Sequence, residues 1–327
     1  MRTPGIATFV LTMAVVAATM AVQARQANPF VGAWNMTGVA PDESYVYWLE
    51  ITDAGGQLSG RFLNRGGSPT PLAVVRVEHN ELVFQSGQTG KPSGPEYRAR
   101  LENGRLIGRH TLPPAANAAP GTAGHEVNWV GVRPPAWPSA NANGTHTYGA
   151  PVALFDGTSL DAFGVQHAGQ PMGWTIVNRE AVNEKGANNL VTKQTFRDFR
   201  IEAEYKLGPE SNSGIYLRGR YELQVIDDFG SAPNINSHMS IYGRVAPSVN
   251  ASRPVGEWQT MTAVIVGNRV TVELNGRRVH DNVAIAGITG GALDANELEP
   301  GPIMIQGDHT GVWLRKLVVT PITKPGN

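Results

Sequence analysis

The chain of 327 residues contains no cysteine. Disulfides, a thiolate nucleophile, zinc–thiolate sites and a lipid-modified cysteine anchor are therefore all excluded. Neither sign of charge is in excess, with 27 Lys and Arg against 27 Asp and Glu, so no global field draws the chain to nucleic acid or to an anionic membrane. Helical periodicity is missing almost throughout, and at most one turn is expected, near residues 292–298. Familiar reaction signatures are missing too. There is no Gly-x-Ser-x-Gly elbow, no phosphate-binding glycine loop, no His-Glu-x-x-His and no dinucleotide fingerprint. Long apolar runs are confined to the N-terminus. There Arg2 precedes an Ala-rich stretch over residues 6–22, and Val22-Gln23-Ala24 offers a cleavage site. The stretch is short for a membrane span, so residues 1–24 are read as a cleaved export signal. The mature chain is then expected to be secreted or periplasmic, without a membrane attachment.

Glycine and proline, at 38 and 23 residues, are what the chain has in quantity. Spread along its length, they fit many short strands joined by turns, and the expected class is all-β. Residues 28–135 show alternating strands at 45–52, 60–63, 72–78, 81–85, 97–101 and 105–110, separated by signals such as Asn103-Gly104. A small antiparallel β-barrel or sandwich domain is expected there. His110 and His125 bracket an Ala/Pro/Gly-rich loop and read as surface residues rather than metal ligands. Residues 136–150 carry Pro, Ser, Asn and Gly with few aliphatics and read as a linker. From residue 151 to 323 a second β-rich unit follows, with hairpins through Gly267-Asn268 and Asn275-Gly276. Long antiparallel strands in this order argue for a two-sheet jelly-roll sandwich. Asn35, Asn143 and Asn250 sit in glycosylation sequons, meaningful only in a eukaryotic secretory route.

Within the second unit, Asn212-Ser-Gly-Ile-Tyr-Leu-Arg-Gly-Arg-Tyr-Glu-Leu-Gln-Val-Ile-Asp227 reads as two short strands around Gly219-Arg220. Alternation puts Ile215, Leu217, Leu223 and Val225 on one side and Tyr216, Arg218, Glu222 and Gln224 on the other. A polar face backed by an aliphatic one has the makings of a pocket floor. A cross-strand Arg218–Glu222 ion pair with no chemical part is the plainer alternative.

The second unit resembles the 3-keto-disaccharide hydrolase domain family. The likeness is carried by Leu154-Phe-Asp-Gly157, Asp198-Phe199, Asn212-Ser-Gly-Ile215, Arg218-Gly219, Tyr221–Asp227, Tyr242-Gly243, Gly256-Glu-Trp258, Asn275-Gly276 and Gln306-Gly-Asp-His309. The resemblance implies a concanavalin/lectin-like jelly roll acting on sugars oxidised to a ketone at the third ring carbon, and it covers about half of the chain. A neighbouring ketone acidifies the adjacent C–H. A base can then remove that proton, the enolate can expel the aglycone, and water can add back. On this reading His309 is the candidate base, because imidazole ordinarily titrates nearest neutrality. Glu222 is the partner acid or base, or a ligand if a divalent metal takes part. Arg218 would place a fixed positive charge near the enolate oxygen. Asn212, Gln224, Tyr242, Gln306 and Asp308 are candidate hydrogen-bonding residues for sugar hydroxyls, and Trp258 a stacking platform. Direct displacement by two carboxylates, Glu222 with Asp227 or Asp308, is the rival mechanism. The Asp227-Asp228 pair also suits calcium. A non-catalytic carbohydrate-binding protein on the same sandwich is the alternative function.

Overall fold

The computed structural model describes residues 28–326 apart from Thr89, Pro120 and Thr310. The expected signal, residues 1–24, lies outside the described residues. Every regular element among the described residues is a β-strand. The segment 292–298 forms turns and bends that do not grow into a helix.

The first nine strands are β1 (Gly32–Gly38), β2 (Val46–Ala54), β3 (Gln57–Asn64), β4 (Thr70–Glu78), β5 (Glu81–Gln88), β6 (Lys91–Pro92), β7 (Tyr97–Glu102), β8 (Arg105–Leu112) and β9 (His125–Val132). They run in the order β4-β3-β2-β1-β9-β8-β7-β5, and β4 also pairs with β5, closing an antiparallel barrel. Closure leaves no free edge. Inward-facing Trp34, Tyr47, Phe62, Phe84, Tyr97 and Trp129 fill the interior. Gly108 lets the Trp129 indole cross it, since a Cβ there would meet the ring at 2.2 Å. His110 is in this core and not on the surface. It is 2% exposed, its ring stacks on Tyr97 at 4.2 Å, and burial pushes its pKa down to about 4. Position 110 shares the inward parity of Leu106 and Gly108, a stronger determinant than the loop next to it. His125 faces outward and engages the Asp42 carboxylate at 3.0 Å.

The remaining strands are β10 (Thr147–Tyr148), β11 (Val152–Phe155), β12 (Phe163–Val165), β13 (Trp174–Val177), β14 (Glu180–Asn183), β15 (Leu190–Phe196), β16 (Phe199–Leu207), β17 (Asn212–Leu217), β18 (Tyr221–Ile226), β19 (Trp258–Val266), β20 (Arg269–Leu274), β21 (Arg277–Ala284), β22 (Gly301–Ile305) and β23 (Val312–Lys324). One sheet runs β13-β14-β23-β16-β19-β20-β21, with β10 and β11 also paired to β23. The facing sheet runs β12-β15-β22-β17-β18. Their inner faces meet in one core that includes Phe199, Ile201, Ile215, Leu223, Ile265, Val272, Ile303 and Leu317. This is the jelly-roll sandwich that follows the barrel.

The segment between the two units is strapped down. Asn143 donates to Asp281 at 2.6 Å and accepts from Thr271 at 2.7 Å. The Ala142 N–H bonds Asn282 Oδ1 at 2.9 Å, and the Trp137 ring lies 5.9 Å from the Arg218 guanidinium. Its amides and indole find partners that a plain Gly/Ser linker would not offer.

Barrel and sandwich also touch directly. Val46, Trp48 and Leu63 of the barrel form a buried cluster with Ile288 and Ala295 of the sandwich. The Arg244 guanidinium covers Trp48 at 3.9 Å. Glu297, 3% exposed, accepts from Asn35 of the barrel and from Tyr221 of β18, each at 2.7 Å.

Candidate active site

Strands β17 and β18 pair with Tyr216 opposite Glu222, Gly214 opposite Gln224 and Asn212 opposite Ile226. Alternation therefore projects Asn212, Tyr216, Glu222 and Gln224 to one side while Ile215, Leu217, Leu223 and Val225 enter the core. Over that side lies a cavity of about 420 Å3 lined by Gln166, His167, Asn189, Asn212, Tyr216, Glu222, Gln224, Tyr242, Gln306, Asp308 and His309, together with Gly66, Gly67, Gly290 and Gly291. A larger and shallower hollow of about 670 Å3 on the barrel, near Asp53 and Arg76, contains no histidine in its lining.

Glu222 is the buried carboxyl of the cavity, 3% exposed. Burial pushes its pKa up to about 8, the charge of Asp308 adds to the rise, and a hydrogen bond from Tyr216 opposes it. The Tyr216 hydroxyl lies 2.8 Å from Glu222 Oε2 and 2.9 Å from the Gly290 carbonyl oxygen. A hydroxyl has one proton, so one of these contacts would go short if both oxygens were only acceptors. With Glu222 neutral, its proton can go to Tyr216, which then donates to Gly290; with Glu222 ionised, Tyr216 donates to it instead. Burial is what favours the neutral carboxyl, and the Tyr216 contact works against it. Gly214 leaves the carboxyl its room, since a Cβ there would lie 2.4 Å from Glu222 Oε1.

The companion loop, residues 306–309, is fixed through its backbone. Gly307 N–H donates to Asn189 Oδ1 at 2.7 Å. The Asn183 amide donates to the carbonyls of Gly307 at 3.1 Å and His309 at 2.7 Å. Gly307 sits so close to the Asn188 carbonyl that a Cβ would approach it to 2.4 Å. From this loop the His309 imidazole, partly exposed, bonds Asp308 Oδ1 through Nδ1 at 2.7 Å. A carboxylate on Nδ1 selects the tautomer whose Nε2 carries a free lone pair. Tyr242 is brought alongside by its own N–H, which donates to the Glu222 carbonyl at 3.1 Å. Gln224 Oε1 accepts from Val225 N–H at 2.9 Å.

The cavity thus gathers Glu222, His309, Asn212, Gln224, Tyr242, Gln306 and Asp308. Arg218 is not among them. It follows the last residue of β17 and has a φ of 56°, a left-handed conformation that ends the alternation and turns its side chain away. The guanidinium is 1% exposed and donates to Asp198 at 2.9 Å, to the Gly267 carbonyl at 2.8 Å and to the Arg197 carbonyl. It is a structural clamp, and it pairs with Asp198 rather than with Glu222. Trp258 is also elsewhere. It opens β19 in the other sheet, between Lys206 at 4.8 Å and Arg315 at 4.1 Å, so it cannot stack on a ring held over β17 and β18.

Asp227 does not line the cavity and accepts from Glu210 N–H at 3.1 Å. Asp228 caps a loop by accepting from His238 N–H and the Asn250 amide, at 2.9 and 3.0 Å. Among the described residues no group of three or more His, Asp or Glu side chains is arranged to hold a metal ion. Tyr216 was legible from strand parity but was not singled out. Gln166, His167 and Asn189 lie far away in the chain, and no local pattern marks them.

A lectin-like sandwich with an amide-rich pocket over one sheet is the build of a carbohydrate-active protein. The chain belongs to the 3-keto-α-glucoside-1,2-lyase-like domain family, whose model matches residues 150–320. Similar solved structures include two candidate glycosyl hydrolases from Parabacteroides distasonis ATCC 8503. One is 27% identical over 58% of this chain and 92% of that one, with a TM-score of 0.47. The other is 18% identical over 53% and 94%, with a TM-score of 0.43. The endo-β-1,3(4)-glucanase SCLam of family GH16 is 11% identical over 58% and 94%, with a TM-score of 0.37. None of the curated proteins matches.

Proposed function

We propose that the protein cleaves the glycosidic bond of 3-keto-disaccharides or related 3-keto-glycosides by elimination followed by hydration. One observation carries the reading: a single cavity is lined both by a carboxyl that burial favours in its neutral form, Glu222, and by an imidazole backed by a carboxylate, His309 with Asp308. His309 Nε2 takes the proton from the carbon between the ketone and the anomeric centre. The electron pair moves into the enolate and expels the aglycone oxygen, which receives the Glu222 proton. Water then adds its oxygen to the anomeric carbon and gives a proton back to the Glu222 carboxylate, while the imidazolium of the exposed His309, its proton exchanged with solvent, protonates the ring carbon beside the ketone. The amides of Asn212, Gln224 and Gln306 supply neutral donors for the sugar oxygens, the enolate oxygen first assigned to Arg218 among them. The family's lyase-like description agrees with this order of steps.

Direct displacement by Glu222 and Asp308 is less favoured, because the Asp308 carboxylate is already bonded to His309. Sugar binding without turnover would not need a buried acid beside an oriented base. The test is release of free sugar from a 3-keto-disaccharide in D2O, with His309→Ala alongside. Release with deuterium on the carbon beside the ketone is expected. Release without deuterium would refute elimination, and binding without release would leave a lectin. Export belongs to the same proposal and rests on residues 1–24; a mature N-terminus found by mass spectrometry upstream of Ala24 would contradict it.

A further inference from the structure

The cavity has one wall that does not come from the sandwich. Gly66 and Gly67, in the hairpin between β3 and β4 of the barrel, line it beside Gly290 and Gly291. The hairpin is docked closely enough to be a fixed surface. A Cβ on Gly290 would meet the Gly67 carbonyl oxygen at 2.3 Å, and one on Gly243 would meet the Ser68 backbone at 2.9 Å. On Gly287 it would meet the Trp48 indole nitrogen at 2.4 Å. Gly291 N–H donates to the Arg65 carbonyl at 2.7 Å, and the Ser68 hydroxyl donates to Asn236 Oδ1 at 2.7 Å. The hairpin adds only backbone to the lining, and beyond the glycines' own chain neighbours no atom lies within 4 Å of the position a Cβ would take on Gly66 or Gly67. β18 is the edge strand of its sheet, and the barrel blocks the pocket on the Gly290–Gly291 side.

We propose that this barrel hairpin is a substrate-contacting wall that sets how large a glycoside the pocket admits, its two glycines leaving space for a second sugar ring. The inference rests on the glycoside reading above. It gives the barrel a part in selecting small glycosides over the interior of a polysaccharide.

Gly66 is the place to test it, because its φ is not left-handed and any side chain fits its backbone. Gly66→Trp and Gly66→Ala are compared with wild type on a 3-keto-disaccharide and on a 3-keto methyl glycoside. The expected result for Gly66→Trp is a KM at least tenfold higher for the disaccharide and changed less than threefold for the methyl glycoside. The melting temperature should hold, and Gly66→Ala should move the disaccharide KM in the same direction but by less than Gly66→Trp does. Unchanged KM values, or equal changes for both substrates, overturn the proposal. Should wild type release no sugar from either compound, the functional reading fails by itself. The wall is then judged by calorimetry with the disaccharide: weaker binding to Gly66→Trp supports it, while equal binding, or binding to neither protein, overturns it.

Discussion

Glu222→Gln should leave the protein folded, nearly inactive, and more stable than wild type in alkali. The carboxyl ordinarily titrates at 4.5 and is pushed up to about 8 here, chiefly by burial. The folded chain thus holds this proton more tightly than the unfolded chain does. The resulting stability is fully present below pH 4.5, drains away as pH rises toward about 8, and is gone above it. At about 1.4 kcal/mol per unit, the whole window amounts to roughly 5 kcal/mol as an upper bound. Glutamine has nearly the shape of the neutral acid and does not titrate. Urea denaturation at pH 5, 7 and 9, followed by tryptophan fluorescence, should show a gap that opens in favour of the variant by several kcal/mol between the first and last pH. Sugar release should fall about 10²- to 10⁴-fold at pH 7, the range for loss of a general acid. Wild-type activity should decline above pH 8. A stability gap that stays constant from pH 5 to pH 9 would refute the claim that the fold holds this carboxyl neutral.

Three further outcomes follow from the same geometry. Tyr216→Phe deletes the hydrogen bond that lowers the Glu222 pKa, so the alkaline limb of the rate profile should move to higher pH; a move to lower pH would contradict the contact. Asp308→Asn removes the carboxylate behind His309 and should cut kcat by roughly 10²-fold with little change in KM; an unchanged kcat would remove Asp308 from the base. Arg218→Ala strips a buried partner from Asp198 and from two carbonyls and should cost about 3–5 kcal/mol in urea denaturation. Its kcat per folded molecule, measured in the cold, should stay near wild type, and a collapse there would return Arg218 to the chemistry.

The sandwich and the polar floor were legible because strand alternation is a local rule. Leu223 and Val225 name the core side, which sends Glu222 and Gln224 to the other side. The same rule misplaced Arg218, because parity holds only while the backbone stays extended, and at residue 218 φ becomes positive. Trp258 was misplaced for another reason: an aromatic residue at a strand start carries no mark of which sheet it joins. The barrel's contribution to the site could not be read at all. It is made by two glycines without side chains, Gly66 and Gly67, seated against Gly290 far along the chain. Close backbone approach of this kind leaves no periodicity to find.

The pairing of Tyr216 with Glu222 makes the site sensitive to chain length as well as to composition. Between Leu217 and Tyr221 the turn has three residues, closed by Arg220 N–H donating to the Leu217 carbonyl at 3.1 Å. One residue added there would exchange the faces of β18, sending the carboxyl of Glu222 into the hydrocarbon layer and Leu223 into the cavity. Two added residues would restore the faces but slide Glu222 about 7 Å past Tyr216. Relatives that keep every named side chain but differ by a single residue in this turn would therefore be expected to have lost this arrangement.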